Sequence, residues 1–363
     1  MIFNPARLRI ARKRRSLNKK DFAEKAGVNH RTMVRCEKGQ TVPTDENIDA
    51  FARVTRFPRE FFFRPTVVEP SMELTSFRSL TSMTASVRDA ALAAGTIGCE
   101  IAAWVEEKFD LPPVNLPDLR IYKNTPEIAA RVLRQEWGLG EAPVSNMVKL
   151  LESKGVRVFS LAEDTAMVDA FSLWYDGKPH VFLNTFKSAE RGRFDAAHEL
   201  AHLAIHQEGG VKGRAIEDEA NAFASAFLMP ESDVLAHLPR AEVLDRLVKA
   251  KSRWKVSLAA LCYRLHKLRL ITDWRYRDFC IEMATKGYNR EEPFGIQRER
   301  SVVWQKVLTE LWSENTTHED IAEALALPET EIAALLFGVL IPVDEGMGGQ
   351  KKELALVKDE DSA

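Results

Sequence analysis

The sequence predicts a mainly α chain with one small β-sheet, an α+β body behind an all-α N-terminal unit. Three observations carry this. Residues 5–58 place apolar side chains at helical spacing in four or five short runs, among them Leu8, Ile10, Ala11, Phe22, Ala23, Met33, Ile48 and Phe51. Residues 156–160, 168–175 and 180–184 read as three short strands. A helix follows that carries HELAHLAIH at 198–206.

In the N-terminal unit Asn18 and Asn29 stand where helix N-caps belong, and Ala26-Gly27-Val28 is the tight turn of a helix-turn-helix. Residues 29–39 are the expected recognition helix. Residues 1–64 hold 16 Lys and Arg against 7 Asp and Glu, a net +9 that leaves −11 for the rest of a chain totalling −2. A basic module on an acidic body suits a nucleic-acid contact, although Lys13-Arg14-Arg15 taken alone would equally be a solvated face.

Phe61-Phe62-Phe63 is too apolar for a free linker and is expected to pack the DNA-binding unit against its own fifth helix or a neighbour. Residues 85–109 read as one long amphipathic helix, either a dimer strut or intramolecular core, and 111–117, with three prolines, ends it. Helices are expected at 125–137 and 143–154. After Pro230, residues 244–269 are helical with a turn before Ser257; they mimic a second helix-turn-helix, and packing under the body is the favoured reading. Residues 301–313 and 318–337 are expected to form a helical hairpin, too poor in basic residues to read DNA. The polar stretch 345–363 is expected to be disordered.

HExxH on a helix combines a metal site with a base. His198 and His202 lie one turn apart, so both imidazoles can reach one Zn²⁺ at about 2.0–2.1 Å. Glu199 beside them is placed to take a proton from zinc-bound water. An open catalytic site needs a third ligand. His206, about 12 Å along the axis from His198, is too far and is expected to be packed or hydrogen-bonded at the helix end. The HExxHxxGxxH pattern is excluded, because the chain has Ile205 and Glu208 where it needs Gly and His. After the glycine-bearing loop 207–213, a second helix runs antiparallel to the first and stops at Pro230. On it Glu217 and Asn221 share a face at i and i+4, so Glu217 is the expected third ligand and Asn221 orients a ligand from behind. Glu219, the competing carboxylate, falls off that line and is expected to be solvated. His180 and Tyr175 are polar groups in the strand region that could stabilise an oxyanion, though a structural role is favoured for both.

HELAHL followed by EDEANAFASAFLMP (217–230) resembles the ImmA/IrrE family of metallo-endopeptidases, with Ala201 where the family has glycine. Segments 168–172, 179–184 and 193–197 match the family's lead-in, and the resemblance covers about residues 120–290. It implies a small zincin domain, about one Zn²⁺ per chain and limited proteolysis of a repressor. Residues 5–58, ending in Glu37 and Gly39, resemble the Cro/repressor-like (XRE) helix-turn-helix family. Carried over by position, that resemblance sets Asn18 and Lys19 against phosphates and His30, Arg31 and Arg35, in the helix that Asn29 opens, against base edges. It also pairs Arg12 with Glu37.

The expected domains are therefore 1–64, DNA-binding; 65–117, helical connector; 118–290, zincin-like metallopeptidase; 291–344, C-terminal helices; and 345–363, tail. The expected partners are an operator in double-stranded DNA, a protein substrate such as a helix-turn-helix repressor or this chain itself, and a second copy as a homodimer. A peptide substrate is expected to add as a strand along the edge formed by 171–175. No run approaches 18 apolar residues and no apolar leader precedes residue 5, so a cytoplasmic protein without a membrane span is expected. Cys36, Cys99, Cys262 and Cys280 are too scattered for a cluster and are expected to be reduced thiols. Two alternatives remain open: a non-catalytic sensor similar to short-chain fatty acyl-CoA regulators, and an antitoxin-like regulator.

Overall fold

The computed structural model describes residues 2–66, 75–77, 84–161, 170–206, 213–238, 243–288, 290–337, 340–342 and 354–356. Four helices open the chain: α1 (Pro5–Arg14), α2 (Lys19–Ala26), α3 (His30–Glu37) and α4 (Asp45–Thr55). Asn4, Asn18, Asn29 and Thr44 each accept a backbone N–H at their starts, as short polar residues do at N-caps. Gly27 takes φ +67 in the α2–α3 turn, a left-handed conformation that glycine adopts without steric cost. Arg12 pairs with Glu37 in two buried hydrogen bonds of 2.9 and 2.7 Å, as the repressor-like pattern implied. A 3-10 turn at Arg59–Phe63 buries Phe61 and Phe62 beneath α1, with the Arg7 guanidinium 5.0 Å from the Phe61 ring.

Next come β1 (Thr75–Phe77) and α5 (Ala85–Glu106), then α6 (Pro126–Glu136) and α7 (Met147–Ser153). Strands β2 (Arg157–Leu161), β3 (Ala170–Tyr175) and β4 (Lys178–Asn184) lead into α8 (Ala189–Ile205) and α9 (Arg214–Leu228). The sheet order is β1-β3-β4-β2, with β2 parallel to β4 and the other pairs antiparallel. β1 was not expected. Of the expected strand 168–175, Val168 and Asp169 lie outside the described residues, as do 207–212 of the loop after α8.

Successive strand residues face opposite ways, and here the two faces feed different cores. Phe159, Phe171, Leu173 and Phe182 face α5, whereas Val158, Ala170 and Val181 join the cluster of α6–α9. Close approach of α5 depends on small residues: a Cβ on Gly98 would sit 2.6 Å from the Phe182 ring, and one on Gly95 3.3 Å from Phe171. Thirteen of the 22 residues of α5 are buried. It is an intramolecular core helix, which removes the strut reading.

Beyond α9 follow α10 (Glu231–His237), α11 (Leu244–Trp254), α12 (Leu258–Lys267) and α13 (Asp273–Thr285), which pack their apolar faces under the body as favoured. The expected hairpin resolves into α14 (Val302–Ser313), α15 (His318–Leu325) and α16 (Glu329–Leu335), because Ala326 adopts φ +51 and breaks its second arm. α7 and α14 cap each other. Glu299 accepts from the N–H groups of Met147 and Val148 at 2.7 and 3.1 Å, and Glu152 accepts from those of Val302 and Val303 at 3.0 and 3.2 Å. Most of the expected disordered tail lies outside the described residues, but β6 (Leu354–Leu356) pairs antiparallel with β5 (Leu340–Pro342).

The helix-turn-helix unit shares one hydrophobic cluster with α5 and α14–α16. Buried ion pairs add to that contact. Arg7 meets Glu100 of α5 at 2.5 and 2.7 Å, and Glu331 of α16 receives Arg14 at 2.7 Å and also Arg15. Lys13 reaches Asp89 at 3.5 Å. The Lys13-Arg14-Arg15 run is thus neither a solvated face nor a DNA contact but the docking surface of the unit.

Candidate functional site

Ser188 caps α8 by accepting the Arg191 N–H, and the helix ends at His206, whose N–H reaches the His202 carbonyl. Between these ends α8 buries His198, Glu199 and His202 between the sheet and α9. α9 runs back along it, so His198 meets Asn221 while His202 meets Glu217.

His198, His202 and Glu217 bring their ligand atoms within 4.8 Å of one another. The two Nε2 atoms are 3.1 Å apart, and Glu217 oxygens lie 3.2 Å from that of His198 and 3.7 Å from that of His202. The outer hydrogen bonds decide which nitrogens carry protons. His198 Nδ1 lies 3.2 Å from the Asn221 side-chain oxygen, an acceptor, so Nδ1 holds the proton and Nε2 a lone pair. His206 Nε2 lies 2.9 Å from a Glu219 oxygen and therefore donates, which leaves its Nδ1 as an acceptor for His202 Nδ1–H at 3.0 Å. Burial holds the His206 pKa below its ordinary value against the pull of Glu219, in keeping with a neutral ring. His202 Nε2 is then also a lone pair. Two imidazole lone pairs and a carboxylate converge at contact distance, a donor set of opposite sign to a divalent cation and of the type found in His₂Glu metal sites.

Glu199, next to His198 on α8, is buried against the sheet. Its Oε2 accepts from Ser172 Oγ at 2.7 Å, so β3 anchors the one carboxylate of the HExxH motif. The strand alternation that brings Ser172 to α8 turns His180 and Tyr175 away. His180 pairs across the sheet with Leu173, stacks on Phe159 and shares the α5 face with Tyr175. Neither reaches the metal cluster from that face, and the oxyanion reading is dropped. Burial drives the His180 pKa down to about 4. Glu219 is likewise not the solvated group expected, since it is the partner of His206.

Sequence reasoning passed over Ser172, the His206–Glu219 pair and β1. Ser172 had a signal, being the polar member of the Ala170, Ser172, Trp174 alternation. β1 occupies part of the edge reserved for substrate: Thr75, Ser76 and Phe77 register with Leu173, Ser172 and Phe171.

On the N-terminal unit, Asn29, His30, Arg31 and Arg35 are exposed on one side of α3 while Met33 and Cys36 are buried on the other. Asn18 is exposed and caps α2, accepting from Lys20 and Asp21 at 2.9 Å each. Lys19 is half-buried, 4.0 Å from Glu37. The four cysteines are free thiols, and burial raises Cys99 and Cys262 far above their ordinary values. Among the described residues no helix is long and apolar enough to cross a membrane.

The fold and these two surfaces define a helix-turn-helix domain joined to a zincin-like domain. Residues 6–60 match the family model of a helix-turn-helix domain, and residues 151–266 match that of the IrrE N-terminal-like domain, peptidase M78. The chain carries both domains on one polypeptide, as the two resemblances implied. No curated protein matches it.

Proposed function

We infer that the protein is a DNA-binding transcriptional regulator whose body is a zinc-dependent endopeptidase, acting on a repressor protein to control transcription. The observation that carries this reading is the convergence of His198, His202 and Glu217 beside a glutamate held by the neighbouring strand. A Zn²⁺ held by those three side chains would supply Lewis acidity to a scissile carbonyl and acidify a water. Glu199 takes the proton from the attacking water at its carboxylate and returns it to the departing amide nitrogen. Ser172 holds that carboxylate against β3, and Asn221 and His206 keep both imidazoles aimed inward.

At the other end α3 enters the major groove, with Arg31 and Arg35 over base edges, His30 beside them, and Asn18 and Lys19 near the backbone. A homodimer on a palindromic operator fits this mode of reading.

The test is Glu199→Gln, which preserves shape and removes the base. Metal analysis should find about one zinc per chain in both proteins, operator affinity should be equal, and induction of a reporter should be lost in the variant. Equal induction by both would remove the peptidase from the regulatory mechanism.

A further inference from the structure

We propose that Thr75–Phe77 is a built-in occupant of the substrate edge, a strand of this chain that closes the peptidase site to other peptides until it leaves. This rests on the peptidase reading above.

The outer edge of β3 would otherwise present unpaired N–H and C=O groups, which is how extended peptides are captured. Three consecutive β3 residues, Phe171, Ser172 and Leu173, are instead paired antiparallel with β1. The middle one is Ser172, whose hydroxyl holds Glu199, so the occupant lies alongside the residue that anchors the base. A peptide cannot use those backbone groups while β1 does.

β1 is not a hairpin neighbour of the sheet. It comes from between the helix-turn-helix unit and α5, far in sequence from the β2–β4 run. Its tether makes it a strong competitor, because a linked segment acts at a local concentration on the order of millimolar. Its ladder of three residue pairs is also short enough to be exchanged. Its departure would not undock the helix-turn-helix unit, which is held separately by Arg7–Glu100, by Arg14–Glu331 and by Ser86 Oγ donating to the Ser16 carbonyl at 2.8 Å.

The experiment reads binding, so it does not depend on catalysis. Zinc-loaded Glu199→Gln chain is titrated against a fluorescein-labelled peptide copying residues 70–82, with anisotropy as the readout. The same is done after adding Ser76→Pro and Phe77→Pro together. Successive N–H groups of a strand point to opposite sides, so one of these two prolines removes a ladder donor. A further variant replaces 73–79 with Gly-Ser repeats, and circular dichroism checks its fold. Both opened variants should bind the peptide at least about tenfold more tightly than the parent. Equal binding, or none in any of the three, overturns the proposal. So does zinc-dependent cutting of the Glu199 chain within 70–82, seen by intact mass, because the strand would then be substrate and not a block. Tight binding by opened chains that cleave nothing once Glu199 is restored would instead sink the peptidase reading and leave the occupied edge standing.

Discussion

His206 fixes the tautomer of His202. Its Nδ1, 3.0 Å from His202 Nδ1, can only accept, because its Nε2 donates to Glu219 at 2.9 Å. A carboxylate outside the ligand set thereby directs the His202 lone pair at the metal position. His206→Ala should weaken zinc binding by roughly 10–100-fold in a competition titration with a chelator, the range for loss of a partner behind a ligand. Glu219→Gln should do much less, since its amide oxygen still accepts from His206. Unchanged affinity in His206→Ala would show that the helix end merely packs there.

Arg31 is exposed near the start of α3, with its backbone N–H accepted by Asn29 Oδ1 at 2.9 Å. Arg31→Ala should cost about 1–3 kcal/mol on the operator and little on random DNA. Arg12→Ala should lose binding through unfolding, because it strips a buried partner from Glu37. Gel shifts on specific and random duplexes, alongside thermal melts, separate the two. Unchanged operator affinity in Arg31→Ala would take that residue off the base edges.

What could be read in advance was periodic. Spacing of four placed His198 over His202 and Glu217 beneath Asn221, and the caps at Asn18 and Asn29 needed only local chemistry. Contacts fixed by packing could not be read. Glu219 meets His206 only because the segment joining α8 to α9 returns the second helix at one particular offset. Glu331 is more than 300 residues from Arg14, so no local pattern joins them. A three-residue strand such as β1 is too short to show alternation. For His180 and Tyr175 the favoured structural role stands, but period two says only which residues share a face and not which helix covers it, so their place against α5 was not legible.

One carboxylate, Glu331, receives two of the cations that dock the helix-turn-helix unit. Burial alone would raise the Glu331 pKa, but Arg14 and Arg15 hold it below its ordinary value, so it is ionised and paired. Glu331→Gln removes the carboxylate that both guanidinium groups share, one of them 7% exposed at the side chain. The cost should be about 3 kcal/mol, toward the low end for a broken buried pair because Arg15 is 23% exposed. Calorimetry should record an unfolding midpoint lower by roughly 4 °C. An unchanged midpoint would mean that the shared hydrophobic cluster alone holds the unit.

Two buried groups should give opposite pH dependences of stability. Burial lowers the His180 pKa from 6.5 to about 4, so between those values the unfolded chain binds the proton more tightly and stability falls as the solution is acidified. Burial raises the Glu152 pKa from 4.5 to about 7, against its hydrogen bonds from Ser301, Val302 and Val303. Its carboxyl therefore stays protonated in the fold while the unfolded chain ionises, and stability falls as pH rises through that window. Each effect amounts to about 3 kcal/mol at full extent, and over pH 4.5–6.5 they oppose each other. Denaturant melts across that range should show Glu152→Gln gaining stability with rising pH relative to the parent. His180→Phe, which keeps a ring against Phe159, should lose it relative to the parent. Parallel profiles for parent and both variants would mean that neither group is held away from its ordinary titration by burial.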